Sequence, residues 1–217
     1  MKLADVLVEV RKLLQDTSTD TALQRYSDAT LLGFANQILK RISLVRPDLF
    51  SYIGTFTCTA GEVLQSAPSD SIRLMEIFRV QGGNAVRETS RDSIDQTYPG
   101  WVDETAGACV NWMRHPRNPN KFFVYPAAPS GQVLIGEYAK APPVYTADQT
   151  IELLPDAYFT AVIDGTVFLA ESIDNEHVTS GRAEMFFKSF SNSLDANYQS
   201  RVVTDIESAG LDKRELP

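Results

Sequence analysis

The chain has 217 residues, 43% hydrophobic and 22% charged, which are ordinary globular values that exclude wholesale disorder and leave room for one domain or two small ones. Its formal net charge of −8 excludes a conventional DNA-binding domain, whose affinity comes from Lys and Arg neutralising phosphates. No apolar run reaches the roughly 18 residues needed to span a bilayer, and Asp5 and Glu9 break up the opening MKLADVLVEVRKLL, so the start does not read as a signal peptide.

Leu3, Val6, Leu7, Val10, Leu13 and Leu14 share one face of a short amphipathic helix, Leu3 to Gln15. So few turns are marginal alone and need a partner. The polar run Asp16 to Thr21 reads as a linker. The best-specified stretch follows, RYSDATLLGFANQILKRISLVRPDLF over 25–50. Ser27 is its predicted N-cap, with Asp28 in the first turn. Leu31, Leu32, Ala35, Ile38, Leu39, Ile42 and Val45 recur at helical spacing, and Pro47 stops the helix. Two consecutive helices with a modest connection predict a helical hairpin.

After Pro47 the period changes. Ile53 to Thr59 reads as a strand, with Val63-Leu64-Gln65 returning as its partner across Ala60-Gly61-Glu62. Ile72 to Gln81 reads as another strand. Gly82-Gly83-Asn84 is a hairpin turn from which Ala85 to Thr89 pairs back. Ser90 to Gln96 predicts a short helical turn capped by Ser90 or Asp92. Further strands are predicted over Ala108 to Arg114, Lys121 to Tyr125 and Gln132 to Ala139, the first two joined by the proline-rich loop His115 to Asn120.

The helical period returns at Leu154, with Pro155 near an N-terminus and Tyr158, Phe159, Val162, Ile163, Thr166, Phe168, Leu169 and Ile173 following. Another helix is predicted over Ser180 to Gln199, carrying Ala183, Phe186, Phe187, Phe190, Leu194 and Tyr198. Phe187 lies off the strict stripe, where it is available to another subunit. After Arg201 no period is sustained, so a tail that is extended or disordered in isolation is predicted.

The fold class is therefore α+β: a helical bundle built from the N- and C-terminal helices, with an inserted small antiparallel β-sandwich or barrel domain and an extended C-terminal tail. The corresponding boundaries are 1–50, 51–150, 151–200 and 201–217.

The search for chemistry returns little. His115 and His177 are the only histidines, both in polar loop contexts that fit solvated side chains better than a metal or catalytic role. Asp103-Glu104 is an acidic pair whose adjacent carboxylates diverge. Cys58 and Cys109 supply neither a metal spacing nor a disulfide framework and read as free, buried thiols of a protein made in the cytoplasm. Trp101, Trp112, Phe122, Phe123, Tyr125 and Tyr138 fill a core or interface, or else form a ligand-stacking platform. In the tail, Arg201, Val203, Asp205, Ile206, Leu211, Lys213, Arg214 and Leu216 are either a solvated terminus or a docking arm that folds on a partner.

Three stretches together resemble the head-to-tail adaptor (connector) proteins of short-tailed bacteriophages. The first is the long-helix segment, where Tyr26, Ser27, Asp28, Leu31, Leu32 and Asn36, then Arg46, Pro47, Asp48 and Phe50, match the family's pattern. The second is FFVYPAAPSGQVLIGEYAKAPP over 122–143, and the third is LPDAYFTAVIDGTVFLAES, the start of the late helices. The resemblance covers most of 1–199 and none of the tail.

It implies a structural protein of the virion with no enzymatic activity, cofactor, metal or membrane anchor. Such proteins form a ring of identical subunits, usually dodecameric, beneath the portal protein. The ring is assembled in the host cytoplasm, extends the channel for double-stranded DNA and docks the tail nozzle and fibre proteins. An acidic lumen would reduce sticking of DNA, and the tail would dock on the portal. Two other classes of function stand beside it. One is a carbohydrate- or peptide-binding β module using Trp101, Trp112 and Tyr125 as its platform. The other is a hydrolase around His115 or His177.

Overall fold

The computed structural model describes residues 1–173 and 180–208, with side chains described except at 180 and 196–208. The chain divides into two compact units: residues 1–42 with 143–217, and residues 43–142. Helical ends with a strand region inserted between them make the α+β architecture that the pattern predicts.

In the first unit, α1 (Leu3–Leu14) buries Leu3, Val6, Leu7, Val10 and Leu14, the predicted face apart from Leu13. It ends at Gln15, whose left-handed backbone (φ 56°) turns its N–H back onto the carbonyls of Arg11 and Lys12. The run predicted as a linker is folded around an ion pair. The Arg11 guanidinium donates to Asp16 Oδ2 at 2.8 Å and Asp28 Oδ1 at 2.6 Å, while the Asp16 carboxylate accepts from the backbone N–H groups of Arg25 and Tyr26.

α2 (Asp28–Val45) starts where Ser27 Oγ accepts from the Thr30 N–H at 3.1 Å, and it buries Leu31, Ala35, Ile38, Leu39 and Ile42. Val45, predicted on that face, is exposed with Leu44 in the last turn. α4 (Phe159–Glu171) follows a 3₁₀ turn at Asp156–Tyr158 and is buried almost all round, with Ala161 to Val167 all inside. It is the central helix of this unit. The closest helical neighbour of α1 is α4 rather than α2, and α5 (Ser180–Ser208) packs on α4 as well. The hairpin of the first two helices gives way because α4, buried almost all round, offers each helix more surface to cover.

The 29-residue α5 continues to Ser208 instead of ending at Gln199. Arg201, Val203, Asp205 and Ile206 therefore stand on a helix, which corrects the extended tail over 201–208; the rest of it lies outside the described residues. At 1.5 Å per residue α5 is roughly 43 Å long, against roughly 20 Å for the 13 residues of α4.

The second unit is a pair of sheets. β1 (Ser51–Thr57), β7 (Val133–Lys140) and β3 (Ser71–Val80) form an antiparallel sheet in the order β1-β7-β3. β2 (Leu64–Ser66), β6 (Lys121–Tyr125), β5 (Asn111–Arg114) and β4 (Arg87–Glu88) form the other in that order. Phe56, Leu74, Ile77, Trp112, Phe122, Val124 and Leu134 are among the residues of their common core.

Two predicted hairpins are corrected. β2 pairs with β6, not β1, because the buried Gln65 side chain closes the turn itself: it accepts from Thr59 N–H at 2.7 Å and donates to the carbonyls of Thr59 and Glu62. The turn at Gly82 (φ +69°) starts a hairpin with a bridge between Arg79 and Ala85. The chain then leaves β3, since Arg87 N–H donates to Val110 and Thr89 N–H to Trp112, making β4 a parallel neighbour of β5. α3 (Arg91–Thr97), capped by Ser90, buries Ile94 beside Trp101 and Met113.

Candidate interaction surfaces

The residues predicted to carry chemistry are used by the fold. Trp101 and Trp112 are 1% and 0% exposed, so they cannot form the aromatic platform of a binding module with Tyr125. Trp101 donates from Nε1 to Asp95 Oδ1 at 2.6 Å and meets Phe123 and Tyr125 edge-on. Trp112 packs edge-on to Phe122 beneath the Arg114 guanidinium, 4.8 Å from its ring.

His115 is a loop organiser. Its Nδ1 accepts from the backbone N–H groups of Arg117 (3.2 Å) and Asn118 (3.0 Å), and its ring stacks on Phe123 at 5.6 Å. Those bonds occupy the nitrogen lone pair that a general base would need. His177 lies outside the described residues. Among the described residues no group of three or more His, Cys, Asp or Glu is placed to share a metal ion, and no helix is long and apolar enough to cross a membrane.

Cys58 and Cys109 are free and buried, as predicted. Burial pushes the Cys58 thiol up to about 11 and the Cys109 thiol upward too, against a smaller lowering by Gln132. That glutamine donates to Cys109 Sγ at 2.6 Å and accepts from its N–H at 3.2 Å. Both thiols stay neutral at ordinary pH, and neither is an activated nucleophile.

The surface carries more. A groove of about 410 Å³ opens in the second unit, floored by Pro47, Ile72, Leu74 and Trp112 and rimmed by Arg73, Arg114, His115, Arg117 and Lys121, with no carboxylate in its lining. Arg114 is committed to Glu88 at 2.6 Å. Arg73, Arg117 and Lys121 are exposed and form no ion pair among the described residues. On a chain of net charge −8 this is a local inversion of sign. The sequence shows it only in part: Arg114, Arg117 and Lys121 cluster around the proline-rich loop, but Arg73 arrives from β3 through folding.

An acidic edge lies on the same unit, where Asp103 and Glu104 are exposed with Val102 just after the turn that buries Trp101. Burial and the Glu104 carboxylate beside it hold the Tyr125 phenol above its usual range.

In the first unit, Phe187 is half exposed while its ring meets Phe168 at 5.1 Å, and Met185 on the same helix is exposed. Of the predicted docking residues, Arg201, Val203, Asp205 and Ile206 come together in the last two turns of α5. Leu211, Lys213, Arg214 and Leu216 lie outside the described residues.

A charged groove, an acidic edge, an exposed apolar helix position and a long terminal helix are the equipment of a protein that docks against other proteins. The family comparison agrees with that class. A model described as the SU10 adaptor protein matches residues 1–209, almost the whole chain, and the chain belongs to this family of phage head-to-tail adaptors. No curated protein matches it. The role is thus that of a structural phage protein that interacts with other head or tail proteins.

Proposed function

We propose that this chain forms a ring, dodecameric by the family resemblance, beneath the portal protein, where it extends the DNA channel and offers docking surface to tail nozzle and fibre proteins. The family match through residue 209 carries the reading, because it includes α5 to its end. α5 is more than twice the length of α4, the helix it packs on, so its last turns have more length than their intramolecular partner can cover. Leu194, Tyr198, Val202 and Ile206 continue a four-residue apolar spacing into that part, the pattern of a helix with a further surface to meet. The portal is the partner assigned to it, with residues 201–217 as the docking segment. Assembly of the ring in the host cytoplasm and its place at the head–tail interface of the virion belong to the same reading. Twelve copies of an acidic chain around a lumen would repel the DNA backbone and keep the channel from binding its cargo.

The test is the mass of the purified chain, alone and with the portal ring of the same virus, before and after deletion of 201–217. A portal-bound ring that is lost with the deletion supports both the ring and the docking segment. A ring that survives keeps the adaptor and removes the docking role of the segment. A chain that ignores the portal sinks the portal-ring reading.

A further inference from the structure

The groove and the acidic edge of the second unit lie at opposite ends of one hairpin. β5 and β6 are paired from Asn111 opposite Tyr125 to Arg114 opposite Phe122. The loop carrying His115 and Arg117, with Lys121, lies beyond the Arg114 end, and Arg73 joins it on the groove rim. The segment 102–107 lies at the other end, where Gly107 N–H donates to Ala127 and Val110 N–H to Tyr125. The groove end presents Arg73, Arg117 and Lys121, with Glu88 of the neighbouring strand taken up by Arg114; the other end presents Asp103 and Glu104, with Arg87 opposite Asn111. Each end carries exposed apolar surface: Leu44 (69% exposed) lines the groove, and Val102 (50%) adjoins Asp103.

A patch at one end that complements a patch at the other makes a heterologous contact, which closes into a ring when the rotation between neighbours allows it. Without local complementarity, copies of net charge −8 repel one another. We propose that the basic groove of one copy receives the Val102–Glu104 edge of the next copy, head to tail, with Arg73, Arg117 and Lys121 facing Asp103 and Glu104 and Val102 entering between them. The occupant is a second copy of this chain because the chain itself carries both halves of the contact, opposite in sign and placed at opposite ends of the same hairpin. This rests on the ring reading above and names its lateral surface.

The experiment uses the full chain assembled on the portal of the same virus, or concentrated alone if it associates by itself. Isotope-labelled and unlabelled protein are mixed and treated with a carbodiimide, which activates a carboxylate for attack by an amine in contact with it, leaving an amide across the ion pair and departing as its urea. The expected product is an isotopically mixed cross-link between Lys121 and Asp103 or Glu104. Two charge-reversed variants are made in parallel, Arg73→Glu/Arg117→Glu/Lys121→Glu and Asp103→Lys/Glu104→Lys. Each alone is expected to lose assembly by about tenfold or more, the cost of one lost favourable contact of ~1.4 kcal/mol. An equal mixture of the two is expected to regain it, since each groove then meets an edge of opposite sign. Assembly with cross-links only between other faces, or reversed variants that assemble like the parent, overturns the lateral contact and leaves the ring standing. Failure of the unmodified chain to assemble in either setting overturns the ring reading and this contact with it.

Discussion

Asn36, midway along α2, and Tyr145, on the segment that returns to the helices, exchange two hydrogen bonds. Asn36 Nδ2 donates to the Tyr145 carbonyl at 3.0 Å, and Asn36 Oδ1 accepts from the Tyr145 N–H at 2.8 Å. The same amide also donates to the Leu32 carbonyl of its own helix. A side-chain amide is suited to this because it offers a donor and an acceptor in one plane, as a neighbouring strand would. Asn36→Leu keeps most of the volume and strands both backbone groups in a buried site. An unmet buried group costs about 1–3 kcal/mol, so the substitution is expected to lower the free energy of unfolding by roughly 2–4 kcal/mol. Asn36→Asp keeps the acceptor but turns a buried carboxylate towards the Leu32 and Tyr145 carbonyl oxygens, and should cost at least as much. Urea denaturation followed by circular dichroism measures both, and a Leu variant as stable as the parent would remove this pair as a clamp.

A second close approach joins α2 to α4. A Cβ built on Gly165 would lie 2.9 Å from Cδ1 and Cγ2 of Ile38, a side chain that is itself fully buried. The helix backbone does not require glycine there; the neighbour does. Overpacking a closed core costs about 1–3 kcal/mol, while alanine regains up to about 1 kcal/mol of helix propensity. Gly165→Ala is therefore expected to destabilise by about 1 kcal/mol, and Gly165→Leu by considerably more. Because the conflict is with one side chain, the double variant Gly165→Ala/Ile38→Ala should cost less than the sum of its singles. Strict additivity in the denaturation cycle would show that the strain is elsewhere.

These contacts explain which parts of the fold were legible beforehand. Ser27, Asp28 and Asn36 stand in the family-like pattern of the long-helix segment, and the structure gives them tasks: a cap, a partner for Arg11, and the bond to Tyr145. Tyr26 belongs with them, its hydroxyl donating to the Ala170 carbonyl at 2.7 Å. The helices were legible because their apolar positions repeat at a period that only one local structure satisfies. The partner of β2 was not, because Gln65 closes its turn by side-chain bonds that no hydropathy period records. Nor was the parallel β4–β5 pair, where a glycine turn that looks like an ordinary hairpin hands the chain on to the second sheet. The basic groove needed Arg73 and Lys121 to be brought together from strands 48 positions apart in sequence. The end of α5 is hard to read from sequence because beyond Arg201 only Val202 and Ile206 carry the spacing of Leu194 and Tyr198 onward, too few positions among charged neighbours to declare a helix, whereas helical backbone continues to Ser208.

Glu171, at the end of α4, is buried at 2% exposure with Arg25 Nη1 at 3.8 Å and Arg182 Nε at 3.5 Å. Arg182 also donates to the Leu13 carbonyl, so one carboxylate coordinates the segment before α2, the start of α5 and, through Arg182, the end of α1. Both arginines are partly in solvent and regain hydration if the carboxylate is removed, whereas the carboxylate cannot if they are removed. The asymmetry predicts that Arg25→Met/Arg182→Met is the more damaging change, by roughly 3–5 kcal/mol, the cost of a buried charge left alone. Glu171→Gln should cost about 1–2 kcal/mol. The reverse order of the two in urea denaturation would show that Glu171 reaches water in a way its burial does not allow.

The buried thiols set an alkaline limit on stability. Burial raises Cys58 from an ordinary 9.0 to about 11, with Cys109 nearby adding to the rise, and Cys109 is raised in the same direction by its own burial. A folded-state pKa above the unfolded one means that between the two values the unfolded chain has released its proton and the folded chain has not. Stability is then complete below about 9 and falls as pH climbs towards about 11, since it decreases wherever the unfolded state binds fewer protons. Tyr138 and Tyr145, also raised by burial, act in the same sense, but from their ordinary value of 10.0 upward. The onset near 9 therefore belongs to the thiols. Cys58→Ala/Cys109→Ala should flatten the first part of this decline in the urea midpoint and leave the later part in place. The native protein should also resist a thiol reagent at pH 8 until denaturant opens the second unit. An alkaline limb unchanged in the double variant, or thiols that react at once in the folded protein, would mean that this core admits water and that Gln132 does not hold the two sulfurs away from it.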